Sequence, residues 1–104
     1  MQGFVFRLTP PRTTFAFDMS AGERATMLEH VGYWAGLAQQ GTTLAYGPVN
    51  DPSGPYGIGI ILAESLAAAE ALRDGDPAVQ SAHGFRTEIA PMLRLVTPRA
   101  TYDS

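Results

Sequence analysis

The chain has 104 residues, of which 45% are hydrophobic and 16% are charged, and its formal net charge is -3. These values are typical of one soluble globular domain over residues 1–104 and exclude an intrinsically disordered chain. The basic residues are scattered and form no run, so nucleic acid is not expected as a partner. The absence of cysteine excludes disulfides and thiolate chemistry.

No segment predicts contact with a membrane. The most apolar stretch, residues 56–63, is too short to span a bilayer. The first residues lack the basic segment and the long apolar segment of a signal peptide. We therefore expect a cytoplasmic protein with no membrane partner.

The first third of the sequence predicts a strand followed by a long helix. Apolar residues alternate over 4–8, which indicates a strand that the prolines at the start of the Pro10–Asp18 loop would end. Ser20 and Glu23 fit a capping box, and Gly41 is a plausible helix stop. Between them runs an apolar stripe at helical spacing, formed by Met27, Leu28, Val31, Trp34, Ala35 and Ala38.

The middle of the chain predicts a β-hairpin. Residues 42–49 and 56–63 form two strand-like runs, and the segment between them, 50–55, is rich in turn-forming residues. Gly57 and Gly59 leave room on one side of the second of these strands, but the pattern does not tell which side faces the helices.

The last third predicts a second helix and a final strand. Residues 66–73 are alanine-rich and helical in pattern, and Asp76-Pro77 has the form of an N-cap followed by the first residue of one more turn. A final strand is expected over 85–96, with Pro91 at a bulge or an edge position. The tail, 97–104, is expected to be loosely held.

This element order is β-α-β-β-α-β, which predicts an α+β, ferredoxin-like fold with both helices on one face of a four-stranded antiparallel sheet. Gly32 and Gly36 on the first helix and the alanines of the second predict that the helices approach closely. No predicted element covers the second sheet face, and a homodimer is the simplest way to cover it.

His30 is the main candidate for acid–base chemistry. It lies at the edge of the apolar stripe, where a side chain can be half buried and can reach a cleft. Imidazole titrates near neutral pH, which suits a general acid or base. The alternative is a packed histidine without chemistry, since histidine is common at such positions.

Asp76 is the candidate partner that would orient His30, although helix capping alone would explain an aspartate there. Asp51 is the alternative partner. Substrate-binding candidates lie at the end of the second strand and on the helix; they are Tyr33, Tyr46, Gly47, Pro48 and Asp51. Trp34 could line a pocket, but a core position is favoured. The two histidines have no carboxylates at matching spacing, so no metal site is expected. The sequence contains no phosphate-binding loop and no nucleophile motif, and no cofactor is expected.

Taken together, these motifs resemble the YciI-like (YCII-related) family over nearly the whole chain, from Phe4 to about Leu95. The residues that carry the resemblance are Glu29-His30 with Tyr33-Trp34, Gly41, Gly47-Pro48-Val49 with Asp51, Gly54 and Gly57, Asp76-Pro77-Ala78-Val79, and Pro91-Met92.

The resemblance implies a dimeric α/β barrel of ferredoxin-like protomers and a His/Asp-centred site at His30 and Asp76. Some relatives act on chlorinated muconolactones, and more distant barrels isomerise lactones or oxidise small aromatics. The Pro10–Asp18 loop is longer than in the shortest members and could reshape the pocket.

The sequence thus predicts a homodimeric enzyme of the lyase or isomerase type, acting by acid–base chemistry on a small organic, lactone-like molecule. A non-catalytic small-molecule-binding module with the same pocket is the alternative. A heme- or oxygen-handling barrel is a third, which the absorbance of the purified protein would reveal.

Overall fold

The computed structural model describes residues 1–104 and confirms an α+β fold with a four-stranded antiparallel sheet. The elements are β1 (Gln2–Thr9), α1 (Phe15–Asp18), α2 (Ala21–Gln39), β2 (Thr43–Val49), β3 (Tyr56–Ala63), α3 (Leu66–Asp74), α4 (Pro77–Gln80), β4 (Arg86–Pro91), β5 (Arg94–Val96) and β6 (Thr101–Asp103).

The main sheet has the strand order β2-β3-β1-β4, and every neighbouring pair is antiparallel. Because side chains alternate across a strand, Phe4, Phe6 and Leu8 of β1 point to the same face. These three residues are buried in one core cluster with Trp34 of α2 and Ala69 of α3. That face of the sheet is therefore the one covered by the helices.

The strand register places the two strand glycines on the covered face. Gly59 lies opposite Phe6, and Gly57 lies opposite Leu8. Cross-strand partners project to the same side of a sheet. The missing side chains therefore leave room between the sheet and the helices, a point that the alternation of β3 alone could not decide.

The predicted ends of α2 are confirmed. The Ser20 side chain accepts a hydrogen bond from the Glu23 amide, and the Glu23 carboxylate accepts one from the Ser20 amide, so both halves of the capping box are present. At the other end Gly41 has a φ of 80°, a left-handed conformation that glycine adopts without the steric cost of a side chain.

The expected close approach of the two main helices is wrong. A Cβ atom added to Gly32 or Gly36 would meet no atom within 4 Å, so both glycines border open space. Instead, α2 packs against α4, and α3 packs against the strands β3 and β4. None of the helices is both long enough and apolar enough to cross a membrane.

The expected single strand over 85–96 is also wrong, as is the loosely held tail. The segment divides into β4 and β5, and the tail forms β6, which pairs with β5 as a separate two-stranded sheet. Proline cannot donate to the strand ladder, and β4 ends at Pro91. Beyond it the chain places buried Leu95 against Gly3, whose missing side chain makes space for it.

Candidate functional site

The carboxylate of Asp76 lies at the centre of a hydrogen-bonded cluster. As the N-cap of α4 it accepts a hydrogen bond from the Ala78 amide at 2.8 Å. The indole Nε1 of Trp34 donates to its Oδ2 at 2.8 Å, and Nδ1 of His30 lies 2.9 Å from Oδ1 and 2.8 Å from Oδ2. Residues from two helices distant in sequence thus meet at one side chain.

Asp76 is fully buried, with 0% of its surface exposed. Burial of a carboxylate is costly unless hydrogen bonds replace its lost hydration. Here three donors, from a backbone amide, an indole and an imidazole, supply that replacement. The carboxylate is therefore held in one orientation by contacts on both oxygens.

His30 is fixed by this contact. With Nδ1 turned to the carboxylate, Nδ1 carries a proton and Nε2 is the free ring nitrogen. Nε2 has no hydrogen-bond partner in the protein and is not buried, and His30 lines an apolar cavity. An imidazole oriented in this way can accept a proton at Nε2, and the carboxylate stabilises the resulting charge.

The cavity has a volume of about 320 Å³ and lies between the covered sheet face and α2. Twelve of its nineteen lining residues are hydrophobic, and several are aromatic. The aromatic residues of the lining are Phe6, Phe15, Trp34, Tyr46, Tyr56 and Phe85. A concave cavity that is mostly apolar and has few polar groups is typical of small-molecule sites.

Part of the Pro10–Asp18 loop lines one side of the cavity. Phe15 of α1 is buried and packs edge-to-face on Phe85, with ring centroids 5.1 Å apart. Arg12 ties this segment to α2 through a two-pronged contact with Glu23, with both distances 2.8 Å, and it also binds Asp18. The Arg12 guanidinium, together with the hydrogen bond from the Ser20 amide, lowers the pKa of Glu23 to about 2.

Three of the predicted binding residues line this cavity, namely Tyr46, Gly47 and Pro48. The other two lie outside the lining. The Tyr33 hydroxyl donates to the Leu72 carbonyl, and its burial raises the pKa of Tyr33. Asp51 accepts hydrogen bonds from the amide and hydroxyl of Ser53, which lower its pKa, so the structure pairs His30 with Asp76 and not with Asp51.

The sequence interpretation missed the contribution of Trp34 to the cluster. Trp34 is buried, as expected of a core residue, but its ring N–H also binds Asp76. It lies four residues after His30, and side chains at this spacing project from the same helix face. That spacing was the signal available in the sequence.

The second histidine lies elsewhere. His83 Nε2 is 3.0 Å from the Thr26 hydroxyl and does not line the cavity. No group of three or more histidine, aspartate or glutamate side chains comes together in an arrangement that could hold a metal ion.

The model of the YCII-related domain matches residues 7–93 of the chain. The chain belongs to the YCII-related domain family. The match covers most of the chain and contains both His30 and Asp76, which confirms the resemblance predicted from the sequence motifs. No curated protein matches this YCII-related chain.

Proposed function

We propose that this YCII-related protein is an acid–base enzyme that acts on a small organic molecule, with His30 as the catalytic residue and Asp76 as its orienting partner. The observation that carries the proposal is the direction of the imidazole. Nδ1 binds a fully buried carboxylate, and the opposite nitrogen is free at the wall of an apolar cavity. Perturbed or oriented titratable groups in such clefts are frequent at active sites.

The chemistry that this arrangement supports is proton transfer. Nε2 would take a proton from a carbon beside a carbonyl group and would return it to another atom of the same molecule, as in an isomerisation, or to the departing group, as in an elimination. Asp76 would hold the imidazole in the required tautomer and balance its positive charge without taking the proton itself. The apolar walls exclude water and strengthen these electrostatic interactions.

We further propose a homodimer. The strand order β2-β3-β1-β4 supports a ferredoxin-like protomer. The register places Val5, Ile58 and Ile60 on the sheet face away from the helices, where the β5–β6 sheet covers only the end near Gly3. A second copy would cover the remaining apolar side chains. The cytoplasmic location remains a prediction.

The test uses 2-tetralone, an uncharged bicyclic ketone whose hydrogens beside the carbonyl exchange in D₂O. We expect the protein to accelerate this exchange above the buffer rate, as measured by proton NMR. Replacement His30→Gln should remove most of the acceleration, by a factor of about 100 or more, since positioned acid–base groups contribute factors of this size.

His83→Gln is the matched control, because it removes the other histidine, which is outside the cavity. It should leave the exchange rate unchanged. Exchange at the buffer rate, or an acceleration that His30→Gln leaves intact, would contradict the proposal. Retained ligand binding without exchange would favour the non-catalytic binding module.

A further inference from the structure

We infer that the cavity selects uncharged ring compounds that present one hydrogen-bonding group to His30, and that it rejects carboxylates. The inference names the substrate class and so rests on the proposed function of this site. Its first basis is the composition of the wall: no aspartate, glutamate, lysine or arginine is among the nineteen lining residues. The polar side chains that face the cavity are those of His30 and Tyr46, since the Tyr56 ring lies on the other sheet face beside Arg7.

Two arginines lie against rings of lining residues, Arg12 on Phe15 and Arg7 on Tyr56. Arg12 makes two hydrogen bonds to Glu23 and further bonds to Asp18. Arg7 belongs to the sheet face away from the helices, because it lies opposite Ile58, and its guanidinium sits 3.8 Å from the centroid of the Tyr56 ring. Neither arginine is placed to neutralise an anion inside the cavity.

His30 does not supply a net positive charge either. When its ring is protonated, the charge faces the buried carboxylate of Asp76 at 2.8 Å. The pair is then neutral as a whole, so an anionic ligand would lose its hydration without gaining a counter-ion. Burial of an unpaired carboxylate is among the most costly events in an apolar site.

Size and shape limit the ligand further. A cavity of about 150 Å³ lined by apolar residues accommodates benzene, and the volume here is about 320 Å³. One or two fused rings therefore fit, and they would contact the rings of Phe6, Phe15 and Phe85. The indole N–H of Trp34 is already used by Asp76, so Nε2 of His30 is the side-chain polar atom of α2 that remains free to bind a ligand in the cavity.

The test compares two coumarin derivatives that match in size and differ in charge. Coumarin-3-carboxamide is uncharged, and coumarin-3-carboxylate is an anion at pH 7.5. We expect isothermal titration calorimetry on the wild-type protein to give a dissociation constant for the carboxamide at least about ten-fold lower than for the carboxylate, a difference of about 1.4 kcal/mol.

A cavity-filling variant ties the binding to this place. A Cβ at Gly59 would have only ordinary contacts, the nearest at 3.7 Å from Tyr46, so the branch point of Gly59→Val fits and its two methyl groups extend towards the cavity. It should weaken carboxamide binding by about ten-fold or more. The matched control Gly32→Ala adds a methyl group in open space and should leave binding unchanged.

Equal or tighter binding of the carboxylate would overturn the inference, as would carboxamide binding that Gly59→Val leaves intact or the failure of both probes to bind. The outcome is separable from that of the proposed function, because calorimetry needs no turnover. Selective binding of the carboxamide without exchange of 2-tetralone would support the proposed ligand class and contradict the proposed enzyme activity. Exchange of 2-tetralone together with equal binding of both coumarins would support the enzyme activity and contradict the ligand class.

Discussion

At the scale of single residues, one carboxylate combines a structural and a chemical contact. Oδ1 of Asp76 begins α4 through the Ala78 amide, and Oδ2 accepts the indole N–H of Trp34. Both oxygens also face Nδ1 of His30. Helix capping and imidazole orientation are therefore combined in the same side chain, as the sequence allowed.

Asp76→Asn tests this double role. Asparagine is a good N-cap, but its amide group places a donor against the donors of the cluster, so one buried bond is lost. We expect a loss of about 2–3 kcal/mol in the free energy of unfolding by urea and a ketone exchange rate near that of His30→Gln. Asp74→Asn, at an exposed neighbour, is the control and should change neither quantity. Wild-type exchange in Asp76→Asn would refute the orienting role.

Trp34→Phe separates positioning from packing. Phenylalanine keeps the stacked contact with Phe6, whose ring centroid is 5.1 Å from that of Trp34, but removes the hydrogen bond to Asp76. We expect the exchange rate to fall several-fold, because the carboxylate that orients His30 loses one of its donors. The unfolding free energy should fall by about 1–2 kcal/mol. An unchanged exchange rate would mean that Trp34 only packs.

At the scale of elements, an ion pair between side chains attaches the segment around α1 to α2. The exposed guanidinium of Arg12 contacts the carboxylate of Glu23, which also completes the capping box at Ser20. The start of α2 and the position of Phe15 in the cavity wall are therefore connected through one glutamate.

This connection predicts an acid sensitivity of stability. The pKa of Glu23 is lowered from 4.5 to about 2 in the folded protein, so the contact stabilises above pH 4.5 and is lost as the pH falls towards 2. The lowered pKa of Asp18 acts in the same direction. Urea unfolding at a series of pH values should show a smaller decline over this range in Arg12→Gln than in the wild type. Parallel declines would disprove the contribution of the Arg12 contact.

Local rules predicted the elements better than their packing. The capping box of Ser20 and the N-cap of Asp76 depend on near neighbours, and both are present. The direction of Gly57 and Gly59 depends on the register with β1, which the residues of β3 alone do not determine. The division of the last strand into β4 and β5 after Pro91 depends on the packing of Leu95 against Gly3, two residues far apart in the sequence. For the site, the pattern predicted the pair His30 and Asp76, but not that α1 lines the cavity.

At the scale of the whole molecule, one sheet face is covered by helices and the other is largely open. The open face carries Val5, Ile58 and Ile60 beyond the part covered by β5 and β6. Arg7 and Glu88 lie opposite each other in neighbouring strands of the same face, so charged residues flank the apolar ones. This distribution is typical of an interface with an apolar centre and a polar rim.

Ile60→Asp tests the proposed dimer. A charge at the centre of the open face would be buried without a partner on association, which is strongly unfavourable. We expect sedimentation velocity to show a dimer for the wild type and a monomer for Ile60→Asp. Leu28→Asp, at a helix position with 76% exposure, is the control and should remain dimeric. A wild-type monomer would contradict the proposal.

The position of Trp34 has an optical consequence. It is the only tryptophan of the chain, and its indole ring stacks on Phe6 while its N–H binds a buried carboxylate. Excitation at the red edge of the protein absorbance therefore gives fluorescence from Trp34 alone, in the wall of the cavity. The emission maximum and lifetime of the unlabelled protein are built-in signals for what enters that cavity and for how firmly Asp76 holds the ring.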